Sequence, residues 1–246
     1  MQFLLSVIVL FIFAAIWYLP IVKKQQAISG IISRKDLRKA FLMGLIPATI
    51  VILVVEIAFG WILKLAHITD DMLIYHILSA FIMYGLVEEL VKYFCAGYVM
   101  KKNTSLCRVD IMVVFAAVGL GYEVTETIFY GNMVASIIRG VFVAHMMYQL
   151  VMAHFYCESL RARDAGNEGK AKKMSVCALV VPIIIHGFND LGCQLISYRG
   201  FDIDETIQTI ICILFVLILQ LITAIVGIIL SKKNQDLSLS ISGENI

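Results

Sequence analysis

Charge is scarce in this chain: Asp, Glu, Lys and Arg make up only 15% of its 246 residues, while hydrophobic residues make up 61%. That leaves no stretch for a separate soluble catalytic domain, and with a mean hydropathy of +0.90 the composition is that of a polytopic membrane protein. The net charge of +2 supplies no basic face, so nucleic acid is not implied as a partner. Cysteine is used without pattern. Cys95, Cys107, Cys157, Cys177, Cys193 and Cys212 are scattered, five of them in or at the ends of apolar stretches, with no CxxC pair and no clustered Cys/His spacing. A disulfide framework and a structural zinc site are thereby disfavoured, and any metal would need His and carboxylate ligands. There is no internal repeat and no low-complexity tract. That argues against a transporter built on inverted repeats.

What is present is a series of apolar stretches long enough to span a bilayer, near residues 3–22, 40–66, 72–100, 109–131, 133–158, 174–197 and 207–230. The expected fold is an all-α polytopic bundle of about seven transmembrane helices. The first stretch lacks a basic n-region and an A-x-A-like site, and its lysines follow the apolar run, so it reads as a retained helix. Sixteen of the 20 Lys and Arg residues fall at 23–39, 101–108, 161–173 and 232–233, the loops that alternate crossings place on one side. The positive-inside rule makes that side cytoplasmic, with the N-terminus outside and the C-terminus in the cytoplasm. The opposite loops are short or acidic, including the Gly131/Asn132 turn. Residues 1–233 are expected to form one bundle domain with its motif core at 72–197, and residues 234–246 a short disordered cytoplasmic tail.

Against this background the ionisable residues inside the spans stand out: Glu88, Glu89 and Lys92, Glu123 and Glu126, His145, and His186 with Asp190. A charge at the bilayer centre costs roughly 2.5 to 3.5 kcal/mol on insertion scales, so such residues normally serve chemistry or transport. Counted at 1.5 Å per residue from each helix's cytoplasmic end, Glu88 and His186 lie about 18 Å deep, His145 about 24 Å and Glu126 about 26 Å. Four helices therefore place acids and imidazoles in one slab. Glu88 with Lys92, Tyr122 with Glu126, and His186 with Asp190 are i,i+4 pairs, and Glu123 with Glu126 is i,i+3, so each pair shares a helix face. His154 is nine residues from His145 and faces the other way. His154, His76 and His67 are expected to pack rather than react, as are Met146, Met147 and Tyr148. Glu56, alone in its span, is as readily a structural hydrogen-bond partner as a functional group and stays outside the set.

Two carboxylates and two imidazoles around a wet cavity suit hydrolysis. Either His and Glu hold a Zn²⁺ that acidifies water, or a desolvated Glu acts as general base without metal while His or Asn-type donors stabilise an oxyanion. A proton-coupled transporter, or a noncatalytic scaffold or immunity protein, would use the same residue types differently.

The order of these residues resembles that of the PrsW family of intramembrane proteases, relatives of the CAAX prenyl protease and bacteriocin-processing membrane proteins. Glu88-Glu89-Leu90-Val91-Lys92 is similar to the family's Glu-Glu pair with a following basic residue. Gly119-Leu120-Gly121-Tyr122-Glu123-Val124-Thr125-Glu126 resembles its Gly-rich aromatic segment. His145, preceded by Arg139, matches its third motif, and His186-Gly187-Phe188-Asn189-Asp190 its fourth. The chain departs at Tyr122, where the family often has Phe, at Thr127, where it often has Asn, and at Gln149, where a Thr is expected.

The resemblance implies an intramembrane endopeptidase of a bacterial cell membrane. Its substrate would be a single-pass membrane protein, the best known class being anti-sigma factors of stress signalling cut at the outer side; a CAAX-type prenyl endopeptidase is the alternative. Glu88, Glu89, Glu126, His145, His186 and Asp190 are then the expected catalytic residues, with Glu88 or Glu89 activating water. Lys92, Tyr122, Glu123, Arg139 and Asn189 are expected to support them. Zn²⁺ held by Glu89, Glu126, His145 and His186 and a metal-free glutamate mechanism both remain open at this point. Gly119, Gly121 and Gly187 could let a substrate backbone approach or could serve close helix packing.

Overall fold

The computed structural model describes residues 2–102, 106–130 and 141–243. Among these residues it is helical without strands: α1 (Gln2–Ile28), α2 (Arg34–Met43), a π-helical turn (Gly44–Ala48) and α3 (Thr49–Leu65) are followed by α4 (Leu73–Leu78), a π-helical stretch (Ser79–Glu88) and α5 (Glu89–Met100). The chain continues with α6 (Arg108–Tyr130), α7 (Ala144–Asp164), α8 (Glu168–Leu195) and α9 (Glu205–Gly243). Arg139 and the Gly131/Asn132 turn lie outside the described residues.

Local chemistry sets several boundaries. Ser33 accepts a hydrogen bond from the Asp36 amide while Asp36 accepts from the Ser33 amide, a capping box that starts α2. Asn167 caps α8 by accepting from the Lys170 amide. All three prolines lie inside helical segments, Pro20 in α1, Pro47 in the first π turn and Pro182 in α8. Proline lacks the N–H that an α-helix needs, and the wider turn around Pro47 absorbs that loss. The second π stretch ends on Glu88, so the Glu88-Glu89 pair straddles the return to α-helix.

Helix α6 is the post on which α1, α2, the first π turn, α5, α7 and α9 pack. Every residue from Arg108 to Thr127 is buried, as is every residue of α7 from Ala144 to His154. This explains a difference from the sequence expectation. Among the described residues, five helical runs, 8–28, 34–65, 73–100, 168–195 and 205–238, are long and apolar enough to cross a membrane, rather than all seven stretches. The two others are α6 and α7, which carry Glu123, Glu126, His145 and Gln149. An enclosed helix does not face lipid, so its composition is free to be more polar.

Backbones approach closely where α6 meets its neighbours. A Cβ on Gly44 would lie 2.0 Å from the Val118 carbonyl oxygen, and one on Gly121 2.0 Å from that of Phe41. Gly119 abuts the His145 carbonyl in the same way. Close packing, rather than room for a substrate backbone, is what these glycines provide, and Gly187 is likewise filled by the Phe81 ring.

Polar ties hold one end of the bundle. Asp110 accepts from Gln25 Nε2 (2.8 Å), Ser29 Oγ (2.6 Å) and the Cys107 amide (3.1 Å). Arg108 pairs with Glu158 (2.8 Å) and donates to Asn234 (2.8 Å), and Asn234 meets His154 Nδ1 (3.1 Å). These contacts correct the expected disordered tail: α9 continues through Gly243, with Asn234 and Ser238 buried. Asn234, at the start of that segment, is the partner of Arg108 and His154.

Replacing Gly44 by Val should lower stability by about 1 to 3 kcal/mol or more, since the Val118 carbonyl cannot move without moving α6. Gly60→Ala, in open space, should be neutral or stabilising. Thermal unfolding of the two variants in detergent checks the contrast.

Candidate active site

The acidic pair leads the site. Glu88, Glu89 and Lys92 lie at the start of the α5 segment and are 2%, 0% and 0% exposed, so all three charges are withdrawn from solvent. Lys92 Nζ lies 2.6 Å from Glu89 Oε1 and 3.5 Å from Glu88 Oε2. The same ammonium stands 2.9 Å from His145 Nδ1 and sits over the Tyr122 ring at 4.6 Å. One lysine thus joins α5 to α6 and α7. A cation removed from water needs such compensation from every side.

The two imidazoles arrive from α7 and α8, with ring centroids 5.0 Å apart. His186 Nδ1 is 2.9 Å from Glu89 Oε1, and its Nε2 is 3.2 Å from Asp190 and 3.9 Å from Glu88. His145 Nε2 pairs with Glu126. Tyr148 stacks on His186 at 4.9 Å, and Tyr122 meets His145 edge-on at 4.9 Å. The His145 amide donates to Glu123 Oε2 (2.8 Å), so a carboxylate from α6 satisfies the exposed N–H end of α7. Val143, just before α7, has a φ of +46°, and this left-handed turn brings the chain into α7.

Every candidate among the described residues therefore converges, and their roles separate. Glu88, His145 and His186 each offer a donor atom within 4.8 Å of the others, a group that could hold a metal ion. Glu89 lies behind this group, occupied by Lys92, His186 and Gln149 Nε2 (2.7 Å). Compared with the ligand set expected from sequence, Glu88 stands in the donor group where Glu89 and Glu126 were expected. Glu126 instead holds His145, and Asn189 donates to Asp190 and accepts from Gln220 Nε2 on α9 (3.0 Å).

The donor set suits a divalent cation. Glu88, Glu89, Glu123, Glu126 and Asp190 bring five carboxylates against the single ammonium of Lys92 among the described residues. A ligating imidazole normally has its other nitrogen held by a carboxylate; Glu89 does this for His186, and Glu126 does it for His145, whose Nδ1 now faces the Lys92 ammonium and would have to exchange that contact for an ion. A void of about 10 Å³ lies among Glu123, His145, Tyr148, His186 and Asp190, at the lower limit for one water. On the other side a cavity of about 280 Å³ reaches Glu88, Tyr122 and Glu126 from between α3, the second π stretch and α6. Leu53 and Phe129 at its walls are 39% and 64% exposed, so the cavity communicates with the outside of the bundle.

Several participants were not singled out by sequence. Glu56 lines that cavity together with Glu88 and Glu126; being alone in its span, it had no partner spacing to mark it. Gln149 and Gln220 were legible as polar residues in apolar spans, and Tyr148 was read as packing. His154 and His76 do pack: His76 lies 3.2 Å from Gln194 and 2.9 Å from the Asp70 carbonyl, far from the site.

Lys92→Met should destabilise the protein by about 3 to 5 kcal/mol, because it leaves buried carboxylates without their cation. Adding Glu89→Gln should recover part of that loss. A double-mutant cycle by chemical unfolding in detergent measures the coupling, and additivity of the two substitutions would contradict the arrangement.

No curated protein and no solved structure matches the chain. The family of PrsW intramembrane metalloproteases matches residues 33–225, more than three-quarters of the sequence and all of the elements that carry the site. The ordered acids and histidines, the convergence of Glu88, His145 and His186, and this match lead to one conclusion: the chain belongs to the PrsW family of intramembrane metalloproteases and is an intramembrane protease.

Proposed function

We propose that the protein is a zinc-dependent endopeptidase that cuts a single-pass membrane protein entering through the cavity between α3 and α6. The convergence of Glu88, His145 and His186, with Glu88 lining the inner end of that cavity, carries this reading. These three residues would hold the ion. A divalent metal there would lower the pKa of bound water and polarise the scissile carbonyl. Glu126 faces the same cavity beside Glu88 and is placed to take a proton from water and pass it to the leaving amine. Glu89 keeps His186 oriented through its Nδ1, and Lys92 ties the acidic pair to His145. Asp190, 3.2 Å from the His186 Nε2 that would face the ion, would stand beside it, and Asn189 holds Asp190 by donating to it.

A helical substrate hides its carbonyls in its own hydrogen bonds, so hydrolysis requires a locally unwound segment. The carboxylate of Glu56 and the hydroxyl of Tyr84 on the cavity wall offer polar partners to backbone groups released by unwinding. Around this site we infer seven crossings, α6 and α7 included, with the N-terminus outside and the C-terminus in the cytoplasm of a bacterial plasma membrane. The basic loops at 23–39, 101–108 and 161–173 support that orientation. It places Glu126 toward the outer side, which fits site-1 cleavage of a membrane-bound anti-sigma factor.

Cleavage of tagged single-pass substrates in liposomes tests the reading. Glu88→Gln and His186→Ala should each lower turnover by about 10²-fold or more with the fold retained, an effect of the size expected for groups acting on the transition state. Leu53→Trp, which narrows the cavity, should raise KM far more than it lowers kcat. Undiminished cleavage by Glu88→Gln, or a proton flux with no cleavage by the wild type, would contradict it.

A further inference from the structure

On the opposite face of α7 a second, larger groove of about 560 Å³ runs between α1 and α9. Ile16, Trp17 and Ile21 of α1 and Ile228 of α9 line its apolar part, and Met146, Met147 and Leu150 of α7 form its floor. Lys23, Lys24 and Lys232 line the rest, together with Ser231 and Gln235. The three lysines come together at one end. Gln25, next to Lys24, is bonded to Asp110, and Asn234, two residues after Lys232, is bonded to Arg108. Both partners belong to the first turn of α6, so the lysine-bearing parts of α1 and α9 lie at the same level.

Along α1 the groove passes from Ile16 to Lys24, about 12 Å of helix. It changes over that length from an apolar channel to a cationic mouth. No carboxylate lines it, and no ion pair engages Lys23, Lys24 or Lys232 among the described residues. Three exposed ammonium groups beside an apolar channel match an amphiphile with an anionic head and a hydrocarbon tail. Ser231 and Gln235 at the junction can donate to ester or phosphate oxygens. Anionic lipids concentrate beside such lysine clusters at a membrane surface.

We propose that this groove is a binding site for one anionic phospholipid, its phosphate held by Lys23, Lys24 and Lys232 and an acyl chain lying on Met146, Met147 and Leu150. The bound chain braces α7 from behind. Met146 follows His145 directly in sequence, so a filled groove supports the helix that presents His145 to the site. This assignment stands apart from the protease reading and needs no substrate.

The full chain, purified from vesicles of equal phosphatidylglycerol and phosphatidylcholine, tests the site by native mass spectrometry of retained lipid. Wild type should keep one phosphatidylglycerol per chain with at least tenfold preference over phosphatidylcholine. The triple variant Lys23→Gln, Lys24→Gln, Lys232→Gln should lose that preference. Ile228→Trp, which fills the channel and keeps the lysines, should lose the retained lipid itself. A control triple elsewhere, Lys35→Gln, Lys170→Gln, Lys172→Gln, should behave as wild type. Equal retention of both lipids by the wild type, unchanged preference in the groove triple, or loss of preference in the control triple would overturn the assignment.

Discussion

Burying the Lys92 ammonium is the constraint from which the rest of the arrangement follows. An ion withdrawn from water at this depth costs several kcal/mol unless its surroundings repay it. Here the repayment comes from Glu88 and Glu89 on its own helix, His145 on α7 and the face of Tyr122 on α6. Two of those groups are held in turn, Glu89 by His186 and Gln149, His145 by Glu126 and Glu123. Four helices are consequently fixed relative to one another by polar contacts, in a protein that exposes many large apolar side chains on its helices. The acids still outnumber the cation, and that excess suits the centre to an added divalent ion.

Such a chamber depends on the burial of α6 from Arg108 to Thr127 and of α7 from Ala144 to His154. Gly44 and Gly121 let the α2–α3 segment lie directly on the α6 backbone, and Gly119 does the same for α7. The close fit excludes lipid and water from most of α6. The cavity at Leu53, Glu56 and Phe129 interrupts that seal. Among the described residues, this flank is where the carboxylates of Glu88 and Glu126 meet the outside of the bundle. The lysine-rich groove lies behind α7, so the two faces of that helix meet different chemistry.

Much of this was legible in the sequence because the physical cost of a charge in an apolar span marks it as purposeful. Glu88, Glu126, His145 and His186 were grouped by depth, and all meet in one place. Helical spacing identified the Glu88/Lys92 and His186/Asp190 contacts. It could not say which acid of the pair faces the two histidines, because neighbouring residues differ by about 100° in direction and only the fold selects between them; the π stretch ending at Glu88 adds a further change of phase. Contacts between distant segments, such as Glu123 on the His145 amide or Gln149 on Glu89, left no local spacing to read. Asn234 misled for the opposite reason: a polar residue past the last apolar run resembles a tail until Arg108 and His154 are seen to need it.

The central claim is that Glu88, His145 and His186 form one metal-binding group, with Glu89 acting behind them. It is tested most directly by Zn²⁺ stoichiometry of purified, folded protein, measured by elemental analysis for wild type, Glu88→Ala, His145→Ala, His186→Ala and Glu89→Gln. The account predicts about one ion per wild-type chain, loss of the ion in each of the three donor variants, and weakened but retained binding, by roughly 10- to 100-fold, in Glu89→Gln. Full zinc occupancy in Glu88→Ala, or its loss only in Glu89→Gln, would contradict it.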